Sequence, residues 1–206
     1  MSSNTLKLLS LVISAFAIVK IAMAGDPDIL TDYIVPQGVS AIDGNFFTYT
    51  SFRPIVLGTP QPTAFKVTKA SMVEFPALNG QSVSYAALQF PGGSVNPPHT
   101  HPRSAELLLV CQGSLQVGFV DTTNKLYTQK LQEGDMFIFP KGLVHFQYNA
   151  DPKTSALAIS AFGSANAGTV SIPSTLFNTS IDDNVLALSF KTDIATIQSL
   201  KKNFAA

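Results

Sequence analysis

Residues 96–113 of the 206-residue chain read NPPHTHPRSAELLLVCQG. His99 and His101 stand two positions apart in this stretch, and residues two apart on a β-strand point to the same face. They can therefore present two imidazoles to one interior point. Pro102 ends the strand-like segment, and Glu106 opens the apolar run that follows. The stretch indicates a buried pair of nitrogen donors with a carboxylate close by.

The third and last histidine, His145, lies in a second block, GDMFIFPKGLVHFQYN at residues 134–149. A turn at Pro140-Lys141-Gly142 can deliver it to the start of another strand. Three neutral imidazoles and one carboxylate suit manganese or iron in octahedral geometry, with two positions left for water or substrate. Zinc more often has thiolate ligands or only three protein ligands, although affinity order alone favours copper or zinc over manganese.

Taken singly, each of these residues has an ordinary structural explanation. A lone His-x-His is more often a surface or packing pair, Glu106 could be a solvated rim charge, and His145 a hydrogen-bonded core residue. The spacing of the two blocks argues against that combination. The first block runs Gly93, five residues, His99-x-His101, four residues, Glu106, six residues, Gly113. The second runs Gly134, five residues, Pro140-x-Gly142, two residues, His145, three residues, Asn149.

The sequence around the two blocks predicts an all-β fold. Over about residues 46–170, short apolar or alternating runs are broken by Gly, Pro, Asn and Asp. This pattern favours an antiparallel sandwich or barrel over an α/β alternation. Between two of these runs, Asp121-Thr122-Thr123-Asn124 predicts a hairpin turn.

The character of the chain changes over about residues 171–206. Candidate helix starts at Asp183 and Thr192, with Lys201-Lys202 near the end, predict two or three short helices. The apolar stripe on the last helix has no evident core of its own, so we expect it to need the surface of a partner chain, the alternative being that it packs onto its own barrel. Before this tail we expect an N-terminal arm at residues 25–45 and a barrel at about 46–170. The arm, the barrel and the tail together form one domain.

The N-terminus predicts a secretion signal over residues 1–24. It has a weakly positive start at Lys7, an apolar run over residues 8–19, and small residues before the expected cleavage after Ala24. The run is too short to span a bilayer and ends at Lys20, so we expect no membrane span.

Composition excludes one class of partner. The chain has 13 Lys and Arg against 13 Asp and Glu, and its only arginines are Arg53 and Arg103. Phosphate binding needs clustered positive charge, so we expect no nucleic-acid partner. Cys111 is the only cysteine, which excludes an intramolecular disulfide, and its apolar setting indicates a buried small hydrophobe.

The two blocks reproduce the two motifs of the cupins, and their amino-acid sequences resemble those of the plant germin and germin-like proteins. The resemblance covers nearly all the chain after residue 24. It implies a β-jelly-roll with a manganese ion (Mn2+) inside the barrel, a homohexamer built from three dimers, and residence in the apoplast or cell wall. Asn178-Thr179-Ser180 is a glycosylation sequon, which fits a secreted glycoprotein.

Three departures from the family pattern bear on function. Where the family usually has a cysteine near the mature start, this chain has Ile34, so the usual N-terminal disulfide is missing. Lys141-Gly142-Leu143 replaces an adhesive Arg-Gly-Asp or Lys-Gly-Asp. The oxalate-oxidising members resemble this chain at Asn96, a candidate catalytic residue, but their second asparagine falls at about Ala86, which cannot hydrogen-bond a carboxylate.

Three functions compete on this basis. Superoxide dismutation by a manganese-dependent oxidoreductase, with a role in defence or stress, needs little beyond the ligands and an access channel. Oxalate oxidation is disfavoured by Ala86. A non-enzymatic, receptor-like or structural metal-binding protein of the cell wall is the third, because cupins host many functions.

Overall fold

The computed structural model describes residues 26–39, 42–58 and 62–204. The predicted secretion signal at 1–24 lies outside the described residues. The regular structure of the described residues is dominated by ten β-strands. The strands are β1 Lys66–Ala70, β2 Ser84–Phe90, β3 Val95–Thr100, β4 Glu106–Gln112, β5 Ser114–Val120, β6 Leu126–Gln132, β7 Met136–Phe139, β8 His145–Tyr148, β9 Ala156–Phe162 and β10 Val170–Ser171. The helices are α1 Arg53–Val56, α2 Ile172–Phe177, α3 Asp183–Phe190 and α4 Ile194–Phe204, with a single 3-10 turn at Pro76–Leu78.

The strands form two five-stranded sheets, and every pair is antiparallel. One sheet has the order β1-β2-β9-β4-β7, and the other has the order β10-β3-β8-β5-β6. From β2 to β5, and again from β6 to β10, consecutive strands therefore alternate between the two sheets, as in a jelly roll. The predicted all-β cupin fold is confirmed.

The core lies between the two sheets because inward and outward residues alternate along each strand. In β9, every second residue of ALAISAF is buried. The fully buried side chains include large apolar groups from both sheets, namely Phe90, Leu108, Val110, Leu115, Val117 and Phe139. At one end of this core the apolar residues give way to buried polar ones, and the candidate site lies there.

The hairpin predicted at Asp121–Asn124 joins β5 to β6. Asp121 Oδ1 accepts hydrogen bonds from the backbone N–H groups of Thr123 and Lys125. Asn124 takes a left-handed conformation with φ 63°, which asparagine tolerates better than most residues. Local turn chemistry therefore fixes the register of β5 against β6.

The tail has three helices, as predicted, but their caps and packing differ from expectation. Asp182 and Asp193 accept hydrogen bonds from the first turns of α3 and α4, so Thr192 does not cap the last helix. The expectation that the tail has no core of its own is wrong. Its helices bury a small cluster together, comprising Leu186, Ala187 and Ile197 packed against Leu176, Phe177 and Ile181.

Candidate metal centre

The three histidines come from the sheet that contains β3 and β8. His99 lies on β3 directly opposite His145, the first residue of β8. The β3–β8 register shifts between Asn96 and His99, where two consecutive prolines interrupt the ladder. His101 follows the end of β3 by one residue and stays on the same inner side. Alternation along a strand therefore accounts for the pair His99 and His101.

Glu106 comes from the opposite sheet, as the first residue of β4. Its carboxylate crosses the interior and meets the three rings. Oε2 lies 3.0 Å from Nε2 of His101, 3.0 Å from Nε2 of His145 and 4.0 Å from Nε2 of His99. One donor atom from each of the four residues lies within 4.8 Å of the others, and all four side chains are buried.

Backbone carbonyls set the tautomer of each imidazole. The acceptors of the Nδ1 groups are Pro97 O at 2.8 Å for His99, Gly168 O at 2.5 Å for His101 and Leu143 O at 2.8 Å for His145. Because a carbonyl oxygen only accepts, each Nδ1 must carry a hydrogen. A neutral ring then turns the lone pair of Nε2 toward the Glu106 carboxylate, and this arrangement requires a cation between them or a proton on the ring.

The electrostatics favour a metal ion as that cation. Burial lowers the pKa of His99 to about 4, with the charge of His145 adding to the effect, so His99 is neutral near pH 7. Burial alone would raise the pKa of Glu106, but hydrogen bonds from His101 and His145 outweigh it and hold that pKa below its usual range. Those two hydrogen bonds need a hydrogen on Nε2, which a divalent transition metal would replace; the ionised carboxylate and the three Nε2 lone pairs would then bind the metal.

Comparison with known proteins agrees with this geometry. The sequence profile of the Cupin family matches residues 55–198. The chain is 62% identical over 207 residues to germin-like protein 9-3 of Oryza sativa subsp. japonica, covering 98% of this chain and 96% of that one. The chain belongs to the germin-like proteins of the cupin family. It is also 39% identical over 203 residues to nectarin-1 of Nicotiana plumbaginifolia, covering 93% of this chain and 88% of nectarin-1.

The fold of this germin-like chain also matches solved structures. Oxalate oxidase in complex with the substrate analogue glycolate superposes with a TM-score of 0.76 at 31% identity, covering 87% of this chain and 98% of the oxidase. Recombinant oxalate oxidase in complex with glycolate gives 0.75 at 30% identity with the same coverage.

Two residues behind Glu106 were missed by the sequence analysis. Gln147 Nε2 donates to Glu106 Oε1 at 3.1 Å, and Ser160 Oγ donates to the same oxygen at 2.6 Å. Both side chains are fully buried. Their hydrogen bonds leave Oε2 as the oxygen that faces the rings. Gln147 could have been found, because it stands two residues after His145 on the same strand.

Asn96 reaches the same network from β3. Its Nδ2 donates to Gln147 Oε1 at 2.7 Å, and Gln147 in turn donates to Glu106. Asn96 also lines the cavity next to the rings. The structure therefore places this predicted residue beside the site, where it supports Gln147 and borders the space open to a ligand.

A cavity of about 360 Å³ gives access to His99, His101 and Glu106. Ala86 lies on its wall, buried on β2 opposite Ser160. The methyl group of Ala86 therefore faces the space where the sequence comparison placed a substrate-binding amide. The cavity of this germin-like protein therefore has an apolar wall at that point.

The remaining predicted features lie away from the pocket. Cys111 is free and half-buried, and burial raises the pKa of its thiol, so it is a poor nucleophile. The sequon residue Asn178 is exposed at the end of α2. No helix in the described part of the chain combines the length and the apolar character needed to cross a membrane.

Proposed function

We propose that this germin-like protein is a secreted, manganese-binding protein of the plant apoplast or cell wall that disproportionates superoxide. The single observation that carries the proposal is the buried convergence of three Nε2 atoms on the Glu106 carboxylate. His99, His101, Glu106 and His145 would hold the metal. Manganese suits this mixed nitrogen and oxygen set, and when bound it supplies the one-electron redox chemistry that superoxide dismutation needs.

The protein's own residues would do the rest. The carbonyls of Pro97, Gly168 and Leu143 keep each ring oriented, and Gln147 and Ser160 hold the Glu106 carboxylate. Superoxide is a small anion that requires no elaborate binding site. The cavity admits it to the side of the site that His99 and His101 border.

Oxalate oxidation is the activity that this pocket supports less well. A dicarboxylate must be anchored at its far end as well as at the metal, and Ala86 offers no hydrogen-bond donor there. An unpaired buried carboxylate is strongly disfavoured. The apolar wall therefore argues for superoxide over oxalate.

Assembly and location form part of the proposal. The tail leaves apolar side chains exposed, namely Val185, Leu188, Phe190 and Ile194, although it has its own small core. Monomeric proteins rarely expose such a patch, and a homo-oligomer, a hexamer by resemblance, would cover it. Secretion would rest on the signal at residues 1–24, and glycosylation at Asn178 would fit the exposure of that sequon.

One preparation tests the activity. The mature protein is purified, its metals are quantified, and the same sample is assayed for superoxide loss and for peroxide release from oxalate, before and after metal removal. We expect manganese-dependent superoxide loss and no peroxide from oxalate. A folded, manganese-loaded protein without superoxide activity would refute the enzymatic role and leave a metal-binding wall protein.

A further inference from the structure

The charges around the cavity limit what can bind beside the metal. Among the residues that line it in the described part of the chain, Lys69 is the only lysine or arginine. Lys69 is exposed, and Glu74, which also lines the cavity, is ionised: burial raises its pKa, but hydrogen bonds from Ser71, with a smaller effect of the Lys69 charge, bring that pKa below its usual value. No cationic side chain therefore remains to meet a second anionic group deeper in the cavity.

The charge of the loaded site can be counted from its residues. A divalent metal with one ionised carboxylate and three neutral imidazoles carries a net charge of +1. One ligand anion neutralises it, and a second negative charge would stay buried without a partner, which is costly. The site therefore favours a monoanion.

Apolar side chains form much of the wall that faces the rings, beside the polar Ser84. On the side of the sheet that contains β1 and β2, the cavity is lined by Val67, Ala86 and Leu88. Phe162 and Ala167 also line it. Apolar atoms of a ligand would lose contact with water against these side chains, which stabilises the bound state. The body of the ligand should therefore be apolar.

We propose that the cavity binds a monoanion with a small apolar body, of which short-chain monocarboxylates are the simplest representatives. The carboxylate binds beside His99 and His101, and the hydrocarbon chain packs against Val67, Ala86 and Leu88. This inference rests on the proposed function only for the presence of the metal, because superoxide is itself a monoanion.

Calorimetric titration of the manganese-loaded protein tests the ligand class. From acetate to butyrate the Kd should fall about fourfold for each added methylene, about fifteenfold in all. Succinate, which carries a second carboxylate at the far end of a similar chain, should bind at least tenfold more weakly than butyrate. A Kd independent of chain length, or succinate binding as tightly as butyrate, would overturn the proposal.

A pair of variants localises the effect. Ala86→Asn places an amide on the apolar wall and should weaken butyrate about tenfold while strengthening succinate. Ala161→Asn is the matched control, because Ala161 pairs with the exposed Leu107 on the outer face of the same sheet. Equal effects of the two variants would contradict the assignment. If the unsubstituted protein has no superoxide activity but its Kd still falls with chain length, the proposed activity is refuted and the ligand class is not.

A separate set of contacts concerns the loop between β9 and β10, residues 163–169. Its Gly168 carbonyl accepts the hydrogen bond from His101 Nδ1, and Thr169 Oγ1 lies 3.5 Å from the same nitrogen. The position of the 163–169 loop therefore sets the orientation of the His101 ring.

The N-terminal arm holds this loop from its other side. Asp26 Oδ1 accepts from Ser164 Oγ at 2.7 Å, and Asp26 Oδ2 accepts from the Ala165 N–H at 2.6 Å. Both carboxylate oxygens of one arm residue are thus bound to the loop, at a separation of more than 130 residues in sequence.

Hydrogen bonds within the loop connect Asp26 to Gly168. Ser164 Oγ accepts from the Asn166 N–H at 3.2 Å, and Asn166 Oδ1 accepts from the Gly168 N–H at 3.3 Å. Arg103 braces the middle of the loop, because its Nε donates to the Asn166 carbonyl at 2.5 Å. The path from the arm to the His101 ring is continuous.

We infer that Asp26 is a positioning residue for the metal site, acting through the 163–169 loop on His101. The arm would then contribute to metal affinity although it lies outside the barrel strands and touches no metal ligand. Detaching the arm frees the loop and lets the His101 ring reorient.

The test compares Asp26→Ala with Asp28→Ala in the mature chain. Asp28 is an exposed acid of the same arm, with no hydrogen bond found within the described residues. Asp26→Ala should weaken manganese binding about tenfold, as loss of a residue that supports a metal ligand does, and Asp28→Ala should not. Equal affinities of the two variants would overturn the inference.

A double-mutant cycle separates positioning from general destabilisation. In a His101→Ala background, Asp26→Ala should have no further effect on the residual manganese Kd, because the ring on which it acts is gone. If the effects of the two substitutions on that Kd multiply, Asp26 does not act through His101 and the inference fails.

Discussion

Replacing Ser160 by alanine removes one hydroxyl from behind Glu106 and leaves all four donor side chains in place. Ser160 Oγ is fully buried and donates to Glu106 Oε1 at 2.6 Å. A hydrogen bond to a charged acceptor typically contributes about 1.5–3 kcal/mol. Gln147 still donates to the same oxygen at 3.1 Å, so the carboxylate keeps one support.

The expected consequence is a weaker metal site in a folded protein. Loss of a residue that supports a metal ligand typically lowers metal affinity about 10- to 100-fold. Because Gln147 remains, we expect Ser160→Ala to raise the manganese Kd by about tenfold, at the lower end of that range. The Kd is measured by competition with a chelator, and urea unfolding of the same metal-free sample shows that the fold is retained.

Ser94→Ala is the matched control. Ser94 Oγ also donates a hydrogen bond, partly buried and 2.7 Å long, but to the Pro91 carbonyl in the turn before β3. It should lower stability by about 1 kcal/mol and leave the manganese Kd unchanged. A Ser160→Ala protein whose manganese Kd stays within twofold of the unsubstituted protein would refute the idea that Ser160 holds Glu106 for metal binding.

Four further outcomes follow from the structure. His101→Ala should remove most bound manganese and with it superoxide activity; metal-depleted protein that retains activity would show another mechanism. The pKa of His99 is about 4 in the folded protein, against 6.5 ordinarily. Between these two pH values His99 is protonated in the unfolded chain but neutral in the folded one, so lowering the pH favours unfolding. Metal-free protein should therefore lose about 3 kcal/mol of unfolding free energy between pH 6.5 and 4, and a flat urea midpoint over that range would contradict this. Peroxide release from oxalate should be absent or very low because Ala86 lines the pocket, and robust release would overturn that assignment. Leu188→Asp should shift the sedimentation velocity toward smaller species, since Leu188 is 80% exposed, whereas Ser189→Asp on the same helix should not; unchanged assembly in both would exclude this face from the interface.

Strand periodicity was enough to place part of the site. Residues two apart on a strand share a face, which predicted the convergence of His99 and His101. The same rule places Gln147, two residues after His145, on the face of the histidines, although no role was assigned to it from the sequence. The spacing of the two blocks predicted Glu106 as the fourth ligand, but periodicity does not say which sheet faces which, and its approach from the opposite sheet is seen only in the structure.

Other contacts depend on which strands pair and on which distant segments meet, and the local sequence pattern does not show either. Ser160 sits in an apolar strand, and its bond to Glu106 becomes visible only when β9 is paired with β4. Asp26 meets Ser164 across most of the chain. The tail shows the same limit, because the burial of Ile197 comes from three short helices packing together, whereas its own helix considered alone predicted an unpartnered stripe.

The most direct test of the central claim is an anomalous difference map from a crystal of the mature protein, with data collected on both sides of the manganese absorption edge. We predict one peak per chain, surrounded by Nε2 of His99, His101 and His145 and by the Glu106 carboxylate. This peak should disappear in the data collected below the manganese edge. A peak at another place, a peak that persists below the manganese edge, or any of the four side chains turned out of the barrel would contradict it.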